Sequence, residues 1–190
     1  MKIHHALTGL SLLRSTSDDR VPTAVGIVQS GLEGVPLSAL VAADAALRRG
    51  LITRAELTTA VELLGGCRGI GPVRAILEEA DHRIESPGES IIGHRLRALG
   101  YALEPQFAVE TGLGVRFADF RIKGTRVLVE FDGAEKYSTK GAAFAEKRRE
   151  DGLRRKGWFF ARYVWADLDD VPLIRARAHQ AVVDSQRWTG

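Results

Sequence analysis

Three acidic residues in the C-terminal half of the chain have the type and spacing of a cation site. Asp119 lies in the strand-like segment 117–122, while Glu130 and Asp132 lie two residues apart at the end of the apolar segment 127–131. Residues two apart on a strand point to the same face. Converging carboxylates repel one another, and a divalent cation relieves that repulsion because hard cations prefer oxygen ligands. The pattern predicts the site of a metal-dependent phosphodiesterase.

Each acid also has a structural interpretation. Period-two alternation places Asp119 on the same face as Arg121, and an ion pair with Arg121 or Arg126 would account for Asp119 without a ligand. Glu130 and Asp132 follow a hydrophobic strand pattern directly. For this pair the metal interpretation is favoured over simple solvent exposure.

A basic segment follows the acids. Six Lys or Arg residues crowd positions 147–156 of a chain with a formal net charge of +3 and a pI near 9.2. Such a patch attracts polyanions and makes salt-dependent contacts with backbone phosphates. The alternative is a solvated helix face, on which Lys147 and Asp151 form an i,i+4 pair. The residues expected to bind nucleic acid are Lys147, Arg148, Arg149 and Arg154.

The elements that must position these residues divide the chain into two parts. Residues 1–84 are expected to be mostly helical, with Thr53 and Glu56 forming a capping box at one helix start. Residues 85–190 begin with a second capping box, between Ser86 and Glu89. Hydrophobic periodicity then predicts helix, three strands, helix, strand and helix, an α/β sheet flanked by helices. The expected strands are 106–110, 114–122, 126–132 and 158–164, and the expected helices are 86–99, 141–156 and 167–186.

This order and its motifs resemble the PD-(D/E)XK nuclease superfamily, and more closely its branch related to very-short-patch repair endonucleases. The upstream segment 41–48 is similar to the helical region of type IV abortive-infection antitoxin-like proteins. The matching residues occur in order along roughly the C-terminal half. They are 85–90, Pro105, Gln106, Asp119, Phe120, 129–133, Lys136, Tyr137, 146–151, Leu153, Arg154, Gly157, Trp158 and Arg162.

The resemblance implies a restriction-endonuclease-like fold and a DNA endonuclease or nickase that uses Mg²⁺ or Mn²⁺. It implies that Asp119, Glu130 and Asp132 hold the metal. The superfamily pattern carries lysine where this chain has Asp132. Lys136 is then the expected displaced basic residue, with Lys140 and Lys147 as rivals.

Glu89 has two interpretations of equal weight. The resemblance implies that a glutamate of this helix contacts metal-bound water, which would make Glu89 a catalytic residue. The capping box explains the same residue as the partner of Ser86 at the helix start.

A second function stays open beside the nuclease. Asp132 at the lysine position is compatible with an inactive nuclease-fold protein, an antitoxin-like or phage-encoded regulator that binds nucleic acid or protein. The N-terminal helices are a possible surface for a protein partner.

The chain is expected to work in the cytoplasm, away from membranes. No apolar run approaches membrane-spanning length, and the first residues lack the pattern of a signal peptide. The single cysteine, Cys67, excludes a disulfide within the chain and fits a reducing compartment.

Overall fold

The computed structural model describes residues 21–111, 114–133 and 150–188. They belong to two compact units, Met1–His82 and Arg83–Gly190. Within these described ranges, no helix combines the length and apolar character needed to span a lipid bilayer.

The first unit contains four helices in its described part: α1 (Thr23–Glu33), α2 (Pro36–Arg48), α3 (Arg54–Leu63) and α4 (Ile70–Leu77). Small aliphatic side chains from all four form one buried cluster, which includes Val28, Leu40 and Val73. The predicted capping box at Thr53 and Glu56 is confirmed, since each side chain accepts a hydrogen bond from the backbone N–H of the other. The predicted helical character of this region is therefore present from α1 onwards.

The second unit is a mixed α/β structure, which confirms the predicted fold class at that level. Helix α5 (Pro87–Ala98) precedes strands β1 (Leu103–Thr111), β2 (Gly114–Ile122) and β3 (Val127–Phe131). Helical residues 150–155, labelled α6, lead into β4 (Phe159–Tyr163). A 3-10 turn (Trp165–Asp167) and helix α7 (Val171–Arg187) complete the described part. The sheet order is β1-β2-β3-β4, with antiparallel pairing except between β3 and β4, which are parallel.

Strand β3 separates two hydrophobic clusters. Val127, Val129 and Phe131 belong to the cluster that contains side chains of α5 and α7. Leu128 belongs to a second cluster, together with Leu153 of α6. Since side chains alternate along a strand, Glu130 lies on the same face as Leu128, towards α6.

Regular alternation does not hold along β2. Ala118 packs in the cluster of Leu128, whereas Phe120, two residues later, packs in the cluster of α5 and α7. On the neighbouring strand β1, Gln106 lies between the register partners of Ala118 and Phe120. The backbone φ of Gln106 is 51°. A positive φ is uncommon for a residue with a side chain. The expectation that Asp119 shares a face with Arg121 required side chains to alternate strictly along β2. That alternation is broken at Asp119, between Ala118 and Phe120.

Helix α5 touches β3 through Gly88. A Cβ atom on Gly88 would overlap the ring of Phe131, which is buried. We therefore expect Gly88→Ala to lower the free energy of unfolding by about 1–3 kcal/mol, the usual cost of overpacking. The measurement is urea unfolding followed by tryptophan fluorescence, since Trp158, Trp165 and Trp188 all lie in the second unit.

Gly152→Ala is the matched control. Gly152 lies in helical segment α6, and nothing within 4 Å would meet an added Cβ. The control should be neutral or stabilising by up to about 1 kcal/mol, because alanine favours helix over glycine. A Gly88→Ala variant as stable as wild type would contradict the close contact between Gly88 and the ring of Phe131.

Candidate functional site

Strands β2 and β3 part at Asp119. Their pairing includes Phe120 with Val129 and runs on through Ile122 with Val127. Beyond that point, the N–H of Phe131 donates to Oδ2 of Asp119 at 2.7 Å. A side-chain carboxylate therefore serves as the acceptor for β3 where the ladder with β2 stops. This contact places Asp119 beside the two residues that flank Phe131, namely Glu130 and Asp132.

The parallel pairing of β3 with β4 brings an arginine to the predicted acids. Glu130 is the register partner of Arg162. Nη2 of Arg162 lies 2.9 Å from Oε2 of Glu130 and 3.2 Å from Oε2 of Glu150. Nη1 lies 3.9 Å from Oδ2 of Asp132. These four side chains, Glu130, Asp132, Glu150 and Arg162, are called the acid–arginine cluster below.

The acid–arginine cluster is partly shielded from water. Its side chains are between 20% and 27% exposed. Ion pairs in such a position are screened less by salt than pairs on an open surface. One guanidinium carries a single positive charge, so it offsets the charge of one of the three carboxylates that it contacts.

Arg154 is tied to the same cluster through Glu150. Its Nε and Nη2 lie 2.8 and 2.6 Å from Oε1 of Glu150, an i,i+4 pair on α6. The guanidinium groups of Arg154 and Arg162 both lie over the ring of Phe160, 5.2 and 5.4 Å from its centroid. Arg154 was predicted to bind nucleic acid, and the structure places it, half exposed, against a carboxylate and a ring.

A small cleft of about 70 Å³ adjoins the cluster. Its floor is apolar, formed largely by side chains of the Leu128 cluster, and Glu130, Glu150 and Arg162 contribute its charged wall. Phe117 also lines the cleft and is 65% exposed. Unpaired bases stack on exposed aromatic rings where basic side chains accompany them, and Arg116 and Arg162 are the basic residues that line this cleft beside its two glutamates.

Glu89 is occupied by the helix cap. Its carboxylate accepts hydrogen bonds from the N–H of Glu85 at 2.9 Å and from the hydroxyl of Ser86 at 2.7 Å. Its own N–H donates to the Ser86 hydroxyl at 3.2 Å. The Ser86 hydroxyl thus caps the helix as predicted, while the Glu89 carboxylate accepts the N–H of Glu85. These contacts account for the burial of a charged side chain.

Several predicted residues lie outside the described ranges. They are Lys136, its rivals Lys140 and Lys147, and the basic residues Arg148 and Arg149. Their predicted roles stay predictions.

Arg162 and Glu150 are the residues that sequence reasoning missed. Both stand within matched motifs, but neither was given a role. The available signal was the alternation of β4, in which Arg162 interrupts an apolar strand. That signal does not identify a partner, because parallel register between β3 and β4 cannot be read from either strand alone.

The donor chemistry of the site fits a hard divalent cation, because Asp119, Glu130 and Asp132 supply carboxylate oxygens. Among the residues described, no three His, Cys, Asp or Glu side chains are arranged as a ready metal group. Glu130 and Asp132 meet on Arg162 instead. A bound cation would therefore have to share these acids with an arginine or take the place of its guanidinium.

Helix α7 fixes the backbone beneath Arg162. Nη1 of Arg177 donates to the carbonyl of Arg162 at 2.5 Å and to Oδ2 of Asp167 at 2.7 Å. Asp167 also accepts the N–H of Val164 at 3.0 Å. Desolvation acts to raise the pKa of Asp167, but the hydrogen bonds from Val164 and Arg177 outweigh it, so that the pKa lies below its usual range.

These features define an α/β protein whose mixed sheet carries an acid–arginine cluster at the end of two parallel strands. No family model matches the chain, and no solved structure matches it. It is similar to two Mycobacterium tuberculosis proteins: "Uncharacterized protein MT2308" of strain CDC 1551 / Oshkosh and "Uncharacterized protein Rv2248" of strain ATCC 25618 / H37Rv. Each is 32% identical over 156 residues, which is 80% of this chain and 57% of the relative. The chain thus spans little more than half the length of these curated relatives.

Removal of the Asp119 carboxylate should destabilise the second unit. Asp119→Ala leaves the N–H of Phe131 without the acceptor described above, and an unsatisfied buried donor costs about 1–3 kcal/mol. Asp119→Asn keeps a side-chain oxygen of the same shape and should lose less. Urea unfolding followed by tryptophan fluorescence measures both variants. Equal stability of Asp119→Ala and wild type would show that the strand junction does not need the carboxylate.

The ion pair of Asp167 should make the second unit sensitive to acid. Because the folded-state pKa of Asp167 is lowered, its stabilisation is present above the unfolded-state pKa of about 3.9 and is lost as pH falls through the lower folded-state pKa. Asp167→Asn should therefore cost roughly 1–2 kcal/mol at pH 7, and this difference from wild type should shrink below about pH 4.

Urea unfolding at a series of pH values tests this dependence, with Asp169→Asn as the control. Asp169 is an exposed neighbour on the same turn. A difference between Asp167→Asn and wild type that stays constant from pH 7 to about pH 3 would contradict the assignment.

Proposed function

We propose that the second unit is a metal-dependent DNA endonuclease or nickase that hydrolyses phosphodiester bonds. The observation that carries this proposal is the placement of Asp119, Glu130 and Asp132. The first lies against the N–H of Phe131, and the other two flank Phe131. Their side chains are neither fully buried nor fully exposed, which suits a site that must admit a charged substrate.

The topology supports the same proposal. The order of α5, three antiparallel strands, α6, a parallel fourth strand and α7 is the order on which the resemblance to PD-(D/E)XK nucleases rests. We infer a restriction-endonuclease-like fold of the very-short-patch repair type for this unit. A fold supports many functions, so the proposal depends on the site more than on the topology.

Phosphodiester hydrolysis needs an activated water and neutralisation of the charge that grows on the phosphate. A Mg²⁺ or Mn²⁺ ion held by Asp119, Glu130 and Asp132 would supply both when bound. The chain's own residues do the rest. The Phe131 N–H orients Asp119, Arg162 can donate two parallel hydrogen bonds to a phosphate, and Lys136 is proposed to stabilise the attacking hydroxide or the transition-state phosphate.

The proposed substrate is DNA. Lys147, Arg148 and Arg149 are proposed to bind its backbone phosphates, and Arg154 would do so from its pair with Glu150. Phe117 is exposed at the cleft and could stack on an unpaired base. We place this activity in the cytoplasm, where a lone thiol such as Cys67 stays reduced.

Plasmid cleavage tests the proposed function. The full chain should nick or linearise supercoiled DNA with Mg²⁺ or Mn²⁺. Asp119→Asn and Glu130→Gln should each lower the rate by more than about 100-fold, since even outer-shell partners of a metal are worth about 10–100-fold. Glu110→Gln is the matched control, because Glu110 is an exposed glutamate on β1. Undiminished cleavage by Asp119→Asn and Glu130→Gln would remove the proposed site.

A second candidate function is favoured by the contacts of Arg162. Its guanidinium pairs with Glu130 and Asp132, and Asp132 stands where the resemblance expects a lysine. Both features suit a nuclease-fold protein without catalysis, an antitoxin-like or phage-encoded regulator that binds nucleic acid, or a protein partner through α1–α4. Calorimetric titration with Mn²⁺ separates the two: no metal binding together with intact DNA binding favours the regulator.

A further inference from the structure

We propose that Arg162 acts as an exchangeable counter-ion: it holds Glu130 and Asp132 in the metal-free protein and leaves Glu130 when a divalent cation binds. This inference rests on the proposed function, since it assigns a positioning residue to the same site. It predicts that the arginine and the cation compete for one carboxylate.

The geometry places Arg162 where such competition must occur. Nη2 lies 2.9 Å from Oε2 of Glu130, and a magnesium ion bound to the same oxygen would lie about 2.1 Å from it. Two positive groups at one oxygen repel each other strongly in a partly shielded site. Withdrawal of the guanidinium from Oε2 of Glu130 would relieve this repulsion.

Arginine cannot relieve this repulsion by losing a proton, because its guanidinium stays charged in proteins. The side chain must therefore move. Its backbone is held in place, since Arg177 donates to the Arg162 carbonyl at 2.5 Å and Ala161 and Tyr163 on either side are fully buried. The movement is accordingly confined to the guanidinium and its stem.

Glu150 provides the position to which the guanidinium withdraws. Its Oε2 is already 3.2 Å from Nη2 of Arg162, and the ring of Phe160 lies beneath the same guanidinium, 5.4 Å from centroid to Cζ. Arg162 can therefore give up Glu130 without losing every partner. Once released, its fork of donors lies beside the cation site, where it can bind a phosphate oxygen.

This exchange would couple cation binding to substrate binding. Without the cation, the three carboxylates of the acid–arginine cluster outnumber the one guanidinium that they share, so the cluster does not attract a phosphate. With the cation bound, both the metal and the released guanidinium present positive charge to the phosphate. Glu150 is thus assigned as the second positioning residue, acting through Arg162.

The test is calorimetric titration of the full chain with Mn²⁺ in the absence of DNA. Arg162→Gln should bind Mn²⁺ about 10-fold more tightly than wild type or better, within the usual range of coupling between two sites. Arg175→Gln is the matched control, because Arg175 is an exposed arginine on α7 outside the acid–arginine cluster. Its affinity should stay within about 3-fold of wild type. Unchanged or weaker Mn²⁺ affinity in Arg162→Gln would overturn the proposal.

A second measurement avoids dependence on the folding of Arg162→Gln. The Nε–H signal of Arg162 in a nitrogen-15 spectrum of the wild-type chain, assigned by its absence in Arg162→Lys, should shift when Mg²⁺ is added. A signal unaffected by saturating Mg²⁺ would overturn the exchange. If Arg162→Gln binds Mn²⁺ more tightly than wild type but the wild-type chain does not cleave DNA, the exchange is supported and the nuclease proposal fails. If the wild-type chain cleaves DNA with a metal but the Nε–H signal of Arg162 does not shift when Mg²⁺ is added, the nuclease proposal is supported and the exchange fails.

Discussion

The hydrogen bond from the N–H of Phe131 to the carboxylate of Asp119 is the contact on which the site depends. Where a strand leaves its neighbour, a backbone donor loses its acceptor, and a buried unsatisfied donor is costly. Asp119 removes that cost, so β2 can part from β3 while β3 continues its pairing with β4. On the other face, Phe131 packs against Gly88 of α5, which fixes the same residue from behind. The cleft is thus a consequence of how one backbone donor is satisfied.

Parallel pairing then decides which charge meets the acids. In an antiparallel meander, the strand beside β3 would be its sequence neighbour, whereas the crossover through α6 brings Arg162 to Glu130. The same crossover brings Glu150 to the other side of that guanidinium. Carboxylates from β3 and from α6 therefore share one guanidinium, that of Arg162 on β4. This arrangement depends on residues far apart in sequence, and it holds like charges close together in a partly buried position, which folding alone does not favour.

The sequence predicts the elements better than it predicts their contacts. Caps and periodicity are local signals, so the box at Thr53 and Glu56 and the order of helices and strands follow from them. The predicted fourth strand 158–164 matches β4 within a residue at each end. The direction of Asp119 could not follow, because alternation breaks where Gln106 adopts a positive φ. The partner of Glu130 could not follow either, since a parallel register is fixed by the packing of the whole unit.

The positive charge of the acid–arginine cluster belongs to an arginine, and this limits what the cluster can do. A lysine beside the acids could lose its proton and serve as a base, whereas a guanidinium stays charged at any pH that the protein meets. Arg162 can therefore orient Glu130, balance charge and bind a phosphate, but it cannot take a proton from water. If the unit hydrolyses phosphodiesters, the proton must pass to a carboxylate such as Asp132 or to a lysine such as Lys136. Charge balance and proton transfer therefore fall to different residues: Arg162 on β4 supplies positive charge, and a proton acceptor would have to be another side chain.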